Sequence, residues 1–506
     1  MAARGTATLG GMGFMIRGAG ALGLVFLMAS RTARAEPEAL KLADVVAVAV
    51  RQSPELERAR IDVAAAQAQL LQAEGIADAH VGASGTASIV RPGSNDPYGD
   101  QETVHAAVSL AKPLSTGGTL AVQLVGDRRH SSGTFAADSA GKQVLVGSDL
   151  RNAANLAIGI TQPLLRGAGA TAFEATIRRA AQQRDAAALT REARARDLVV
   201  SLAQAYWQVA VAWRQLEVRK TSLKLAEQQL AYTEGAIRAE KISRSEALAV
   251  QQAIATRKQD VIAGEQDVYE RSLALRQLGG LEIGPDAIAV TTELLPETIA
   301  APALDLPTVL GQAFDHSAEL AGLAASRRAA EIAVAAADNA AQSKLDVALS
   351  AGPQIAGRTV AEAVSASSAG YEIDASLTFD RAIGGRTERG GQAIAQAALR
   401  TAKLAERVAQ ARLAVRATRA AQRAQAALAS IALGTEAIGL AEQNVAAETK
   451  RFELGKSTNF EVLRRQDELE QARLRHASAI ADYLSARAEL DGVSGTILAR
   501  YHIVMQ

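Results

Sequence analysis

Between residues 199 and 237 apolar side chains return every seven residues, at Leu202, Val209, Leu216, Leu223, Leu230 and Ile237, with Val199, Tyr206 and Trp213 completing a 3–4 spacing. The pattern predicts a coiled-coil seam along one very long helix. The rest of each turn is Gln, Glu, Arg, Lys or Ala, so more than one face is wet or meets small residues. From Gly169 to Arg238 this helix is expected to run about 70 residues, or roughly 105 Å. A second seam follows at Ala417, Ala424, Ile431, Ile438, Val445 and Phe452. Each long helix is followed by a turn and a returning helix; the first return, Arg244 to Leu278, has about half the length. Shorter helices come before. One ends over Asp44–Arg51, the next starts at Ser53-Pro54 and runs to Gly75, and a third starts at Ser317 and runs to Gln342. Ser before the first turn and Pro at its first position are start signals. One long helix is thus matched by two short ones stacked end to end.

Between the helical runs the period changes to two. Tyr371-Glu372-Ile373-Asp374-Ala375-Ser376-Leu377-Thr378-Phe379 alternates strictly, and Leu345–Ala351 does the same. The first half offers Val81–Val90, Val104–Ala111, Thr119–Val125 and Leu156–Gln162, separated by a short turn at 113–118 and by long polar stretches at 91–102 and 127–155. Such segments suit either a half-buried sheet or a membrane barrel.

The pattern occurs twice. Leu225-Ala226-Glu227-Gln228 returns as Leu440-Ala441-Glu442-Gln443, and the two copies then align without a gap to Gly280 and Gly495. Lys241 meets Lys456, Glu246 meets Glu461 and Gln251 meets Gln466; Ser53-Pro54-Glu55-Leu56 matches Ser317-Ala318-Glu319-Leu320. The expected organisation is a signal peptide over 1–35, a first repeat over 36–290 and a second over 291–506. An irregular stretch from Gly279 to Pro307 and the tail from Ser494 are expected at mid-height.

Composition narrows the function. The chain has 506 residues and a net charge of +1, which is no nucleic-acid-binding profile. Aromatic residues make up 3%, while alanine is abundant, a mixture suited to close-packed helices. There is no cysteine, which removes thiolate chemistry and lipoprotein acylation. Six scattered histidines and five methionines form no metal-ligand cluster, and no cofactor motif is present. Arg4 and Arg17, the apolar run Ala19–Met28 and Ala33-Arg34-Ala35 read as an export signal cleaved before Glu36. No later stretch is read as about 18 apolar residues, so any membrane crossing is expected from strands in a closed barrel. Nothing pairs a nucleophile with a base, and no enzyme activity is expected.

Arg451-Phe452-Glu453-Leu454-Gly455-Lys456-Ser457-Thr458-Asn459-Phe460-Glu461-Val462-Leu463 resembles the helix-turn-helix tip of TolC-like outer membrane efflux proteins. Gln466, Leu469, Ala472, Tyr483, Leu490 and Gly495 continue the resemblance, as does Gln162-Pro163-Leu164-Leu165-Arg166-Gly167 between strand and long helix. It implies a mainly α fold with membrane strands, in which a homotrimer builds an α-helical tunnel continuous with an outer-membrane β-barrel. It further implies an exit duct that meets a periplasmic adaptor and an inner-membrane pump, in efflux or type I secretion. The family pattern gives four crossings per chain, with 104–125 as an added hairpin.

The resemblance also points to a gate at the tips. Glu461, and its internal counterpart Glu246, would ring a constriction with like charge, which favours cations. The plainer role for either is a carboxylate at a helix N-terminus. Arg464 replaces a second acidic gate position and stands one turn from Glu461, within reach of an ion pair. Phe452 stands where the family often has tyrosine, and Glu240 where the turn has glycine. The turns Glu240, Lys241, Ile242, Ser243, Arg244 and Gly455, Lys456, Ser457, Thr458, Asn459 are the expected adaptor contacts. A periplasmic coiled-coil scaffold without a barrel is the competing class.

Overall fold

In a computed structural model, residues 40–91, 100–132, 134–137, 139–141, 143–147, 149–240, 243–281, 293–296, 299, 305–359 and 370–503 are described. The signal segment, Lys241, Ile242 and most of the proline-rich stretch after Gly279 lie outside them.

Helix α1 (Leu42–Gln52) stops at Ser53, and Pro54 opens α2 (Pro54–Glu74), where its missing N–H costs nothing. Strands β1 (His80–Val90), β2 (Gln101–Pro113), β3 (Thr119–Ser131), β4 (Thr134–Ala137), β5 (Gln143–Val146) and β6 (Asp149–Pro163) follow. A single turn, α3 (Ala170–Phe173), leads into α4 (Ala175–Arg238), which returns as α5 (Ser245–Gly279). The same order then repeats with α6 (Leu306–Asp315), α7 (Ala318–Ala340), β7 (Lys344–Gly357), β8 (Gly370–Asp380), α8 (Arg386–Glu453) and α9 (Asn459–Val493), before a last turn α10 (Ile497–Arg500). Ser317 caps α7 through its side chain, accepting from the Leu320 amide at 3.2 Å.

The helices form a layer one helix thick. α4 packs on α2 over one half of its length and on α5 over the other; its opposite flank meets α7 and α9, and these two pack on α8. The layer is therefore four helices wide, with α2 and α5 at one edge and α8 at the other. The seam expected from the heptads is buried in the middle of α4, where Val199, Leu202, Tyr206 and Val209 are inaccessible, as are Ala417 and Ala424 in α8. Toward the tip Leu223, Leu230 and Ile237 are only half-buried, and the buried line shifts to Ser222, Ala226, Gln229 and Thr233. The largest buried cluster lies at mid-height, where Val45 and Val46 of α1, Leu202 and Tyr206 of α4, Leu275 of α5 and Ile497 of α10 meet. Tyr206 donates its hydroxyl hydrogen to the Leu40 carbonyl at 2.8 Å and accepts from the Glu293 amide at 2.9 Å. Its phenol is pushed up to about 12, chiefly by burial.

Two expectations need correction. A window of α8 is apolar enough, by length and composition, to cross a membrane, and little of it is buried. The helix is rich in alanine, and its large apolar side chains Ile394, Leu404, Leu433 and Leu440 stand exposed on the open edge of the layer. The second correction concerns the strands. Four crossings plus an added hairpin were expected, but one antiparallel sheet holds six, in the order β1-β2-β3-β6-β7-β8, and β4–β5 pair apart from it. The polar stretch 127–155 is largely strand as well: Asp127–Ser131 pairs with Asp149–Ala153. Polar residues here extend the ladder beyond its apolar band rather than ending it.

Register places one apolar face across all six strands. Val81 pairs with Leu110, Leu110 with Val122, Val122 with Ile158, Ile158 with Ala351 and Ala351 with Ile373. Val81, Val108, Leu124, Ile158, Tyr371 and Ile373 are all exposed, so among the described residues nothing covers this face. The other face is polar or small, with Ser84, Ser109, Gln123, Asn155, Ser350 and Asp374. One dry and one wet face, with period two along every strand, is the arrangement of a barrel wall between lipid and water.

Candidate functional site

The ends of the two helical hairpins away from the sheet are built alike. At the end of α8, the Gly455 amide donates to the Phe452 carbonyl at 2.9 Å and the Lys456 amide to the Arg451 carbonyl at 2.8 Å, with Gly455 at φ 70. This is a Schellman closure. At the aligned end of α4, the Glu240 amide donates to the Ile237 carbonyl at 3.0 Å with Glu240 at φ 57, a left-handed conformation that favours glycine. Thr458 then caps α9, its hydroxyl accepting from the Glu461 amide at 3.5 Å. Thr458 and Glu461 thereby stand in the positions of a capping box. In the first hairpin Ser243 accepts from the Ser245 amide at 3.3 Å.

The two aligned glutamates do different things. Glu461 pairs with Arg464, its carboxylate 3.1 Å from Nη2, as the one-turn spacing anticipates. Glu246 instead accepts a hydrogen bond from Asn459 Nδ2 at 3.2 Å, across from the other hairpin. Asn459 is fully buried, and its Oδ1 accepts from Gln229 Nε2 at 2.7 Å and from Thr233 Oγ1 at 3.0 Å. Three buried side chains, Gln229, Thr233 and Asn459, and the half-buried Glu246 therefore form one polar cluster drawn from α4, α5 and α9. A buried amide must be satisfied to be tolerated, and this one is satisfied only while the hairpins stay together.

Two further contacts cross between the hairpins. Arg257 of α5, 5% exposed, donates to Asp467 Oδ1 at 2.6 Å and to Gln466 Oε1 at 3.2 Å, both on α9. Phe452 is buried beside Tyr232 of α4, with ring centroids 5.6 Å apart. Below them Glu448 is buried and accepts from Ser457 Oγ, while Arg451 lies 3.3 Å from its other oxygen.

Two of the expected contact residues are not exposed. Asn459 has no exposed surface to offer a partner, and Ser457 is half-buried and turned onto Glu448. Glu240, Ser243, Arg244, Gly455, Lys456 and Thr458 are exposed. Leu454 and Phe460, not singled out from the sequence, add exposed apolar surface beside them. Gln229, Thr233 and Arg257 were also missed. A polar residue one turn from another between seam positions, as Gln229 and Thr233 are, is the signal that marks them. Among the described residues no His/Asp/Glu group has metal-binding geometry.

No protein-family model and no curated protein matches the chain. Solved structures do. The outer membrane protein VceC from Vibrio cholerae superposes with a TM-score of 0.64 at 17% identity, over 90% of this chain and 96% of that one. The Campylobacter jejuni CmeC outer membrane channel gives 0.65 at 12%, over 90% and 86%. The open state of the Neisseria gonorrhoeae MtrE outer membrane channel gives 0.61 at 15%, over 90% and 89%. The chain therefore has the fold of the TolC-like outer membrane channels, a layered α-helical wall joined to a barrel sheet. At these identities the likeness fixes the architecture.

Proposed function

We propose that this chain is an outer membrane exit duct, working as a homotrimer with a periplasmic adaptor and an inner-membrane pump in efflux or type I secretion. The observation that carries the reading is the join between a helix layer with two wet faces and a sheet with one apolar and one polar face. A scaffold without a barrel has no use for six strands that expose apolar side chains to a common side. In lipid an open sheet edge is not tolerated, so further copies must close it.

The tips would be the narrow end. The Asn459 cluster and the Arg257–Asp467 pair hold the α8–α9 hairpin against α4–α5, and opening requires that they part. Glu461 and Glu246 would set cation preference there, with Glu461 restrained by Arg464. The exposed turn residues, with Leu454 and Phe460, would meet the adaptor.

Fractionation of cells producing the full chain tests the reading. The protein should sediment with outer membranes, require detergent for extraction and run as a trimer. A monomer that stays in solution without detergent contradicts it.

A further inference from the structure

We propose that the β2–β3 hairpin is a full part of the barrel wall, so that three copies, each giving six strands, close an 18-stranded barrel in which β8 of one copy pairs with β1 of the next. The trimer itself rests on the exit-duct reading above; the strand number does not.

The hairpin is built in on both sides. β2 pairs with β1 over His80–Val90 and with β3 over Gln101–Pro113, and β3 pairs with β6 over its whole length. Its outward face, Val104, Val108 and Leu110 with Leu120 and Leu124, is apolar and exposed like that of β8. Its inward face carries Ser109, Gln123 and a bonded His105–Asp127 pair at 2.8 Å. A hairpin lying inside the bore as a plug would be wet on both faces, and one lying on the helices would bury its apolar face.

The turn joining β2 to β3 is fastened to the junction of sheet and helix. Thr116 donates through Oγ1 to Gln162 Oε1 at 2.7 Å, Gln162 Nε2 donates to the Thr116 carbonyl at 3.1 Å, and the Gly169 amide donates to the same carbonyl at 2.8 Å. Gly117, at φ 85, lies so close to the Gly167 carbonyl that a Cβ would overlap it. The stretch Gln162–Gly167 thus anchors this turn at the rim.

The edges fit a second copy of the chain. β1 and β8 are both 11 residues long and exposed throughout. β1 runs away from the helices and β8 runs back toward them, so placing β8 beside the next β1 continues the antiparallel alternation without a break. The edges of the helix layer fall on the same sides, α2 before β1 and α8 after β8. Widths also agree. Six strands at about 4.8 Å spacing and about 40° tilt cover an arc of about 38 Å. Four helices at about 9 Å cover about 36 Å. Four strands at the same tilt would cover only about 25 Å. The 18-stranded barrel has a backbone radius of about 18 Å, against about 12 Å for twelve strands.

The absence of cysteine makes single-cysteine mapping direct. Val108→Cys and Leu124→Cys, with Ser109→Cys and Gln123→Cys, would be compared with Leu377→Cys and Ser376→Cys on β8 in outer-membrane vesicles, using a charged and a lipophilic maleimide. Alternation on β2 and β3 that matches β8 is the expected result: the charged reagent labels Ser109→Cys and Gln123→Cys, the lipophilic one Val108→Cys and Leu124→Cys. Charged labelling of both faces of β2–β3, with β8 still alternating, overturns the 18-stranded wall and leaves the duct intact. Loss of alternation on β8 as well would instead defeat the duct reading. If a variant fails to assemble, a reconstruction of the parent trimer in nanodiscs decides by strand count: 18 supports the proposal and 12 refutes it.

Discussion

Asn459 holds three partners with one amide, and that makes it the residue whose loss should be felt most at the tips. Asn459→Ala removes the bonds to Gln229 and Glu246, while Thr233 keeps its bond to the Gln229 carbonyl at 2.7 Å; the buried Gln229 amide left unsatisfied costs about 1–3 kcal/mol. The expected outcome is a raised open fraction in single-channel recordings of the variant. Glu246→Gln is the matched control. Its amide oxygen can still accept from Asn459, so the tips should stay closed while cation preference falls. Equal leakage from both variants would mean that charge, not the hydrogen bond, holds the tips. Tyr206 gives a second prediction, at mid-height. Its phenol titrates at about 12 in the folded chain against the usual 10. Below pH 10 the group is neutral in both states and its contribution is complete. Between pH 10 and 12 the unfolded chain ionises first, so stability falls as pH rises through that window. Melting curves in detergent should show a shallower alkaline slope for Tyr206→Phe than for the parent, with a lower melting temperature at neutral pH.

At the scale of elements, the two hairpin ends ask for the same left-handed residue, and only the second has glycine. Glu240→Gly should relieve about 1 kcal/mol of strain at the end of α4, seen as a higher melting temperature in detergent with conductance unchanged. In the sheet, Gly352 allows β7 to pass the Leu156 carbonyl so closely that a Cβ there would overlap it. Pro353 beside it has no N–H to give, and the β6–β7 ladder skips this point between Asn155–Gln354 and Ile158–Ala351. Gly352→Ala should lower the yield of assembled trimer on gels. The elements themselves were legible in sequence. Heptads at Leu202 to Ile237 and the Ser-Pro start at residue 53 placed the helices to within a few residues, because period and capping act locally. The strand tally was less legible. Asp127–Ser131 reads as polar loop, since nothing local tells a wet strand extension from a loop; its pairing with Asp149–Ala153 is settled across the sheet.

For the whole molecule, the sequence repeat predicts two similar halves; the chain runs through short helices, strands, a long helix and a returning helix twice, with six strands in the first run and two in the second among the described residues. The repeat does not predict how the halves diverge. Glu246 and Glu461 align in sequence, yet one bonds across to Asn459 and the other pairs with Arg464 on its own helix. The difference follows from position 459, where the first half has Arg244, so the cluster exists only once per chain and no comparison of the two copies reveals it. The two helical runs together form a layer four helices wide whose edges coincide with those of a six-stranded sheet. Everything proposed about function depends on that layer closing into a tube open to water. The most direct measurement is single-channel recording of detergent-extracted trimer in planar lipid bilayers. Discrete, ion-conducting steps are expected from the parent, with longer open times for Asn459→Ala. Folded trimer that inserts into the bilayer, yet conducts no ions in parent or variant at any voltage, would contradict the account.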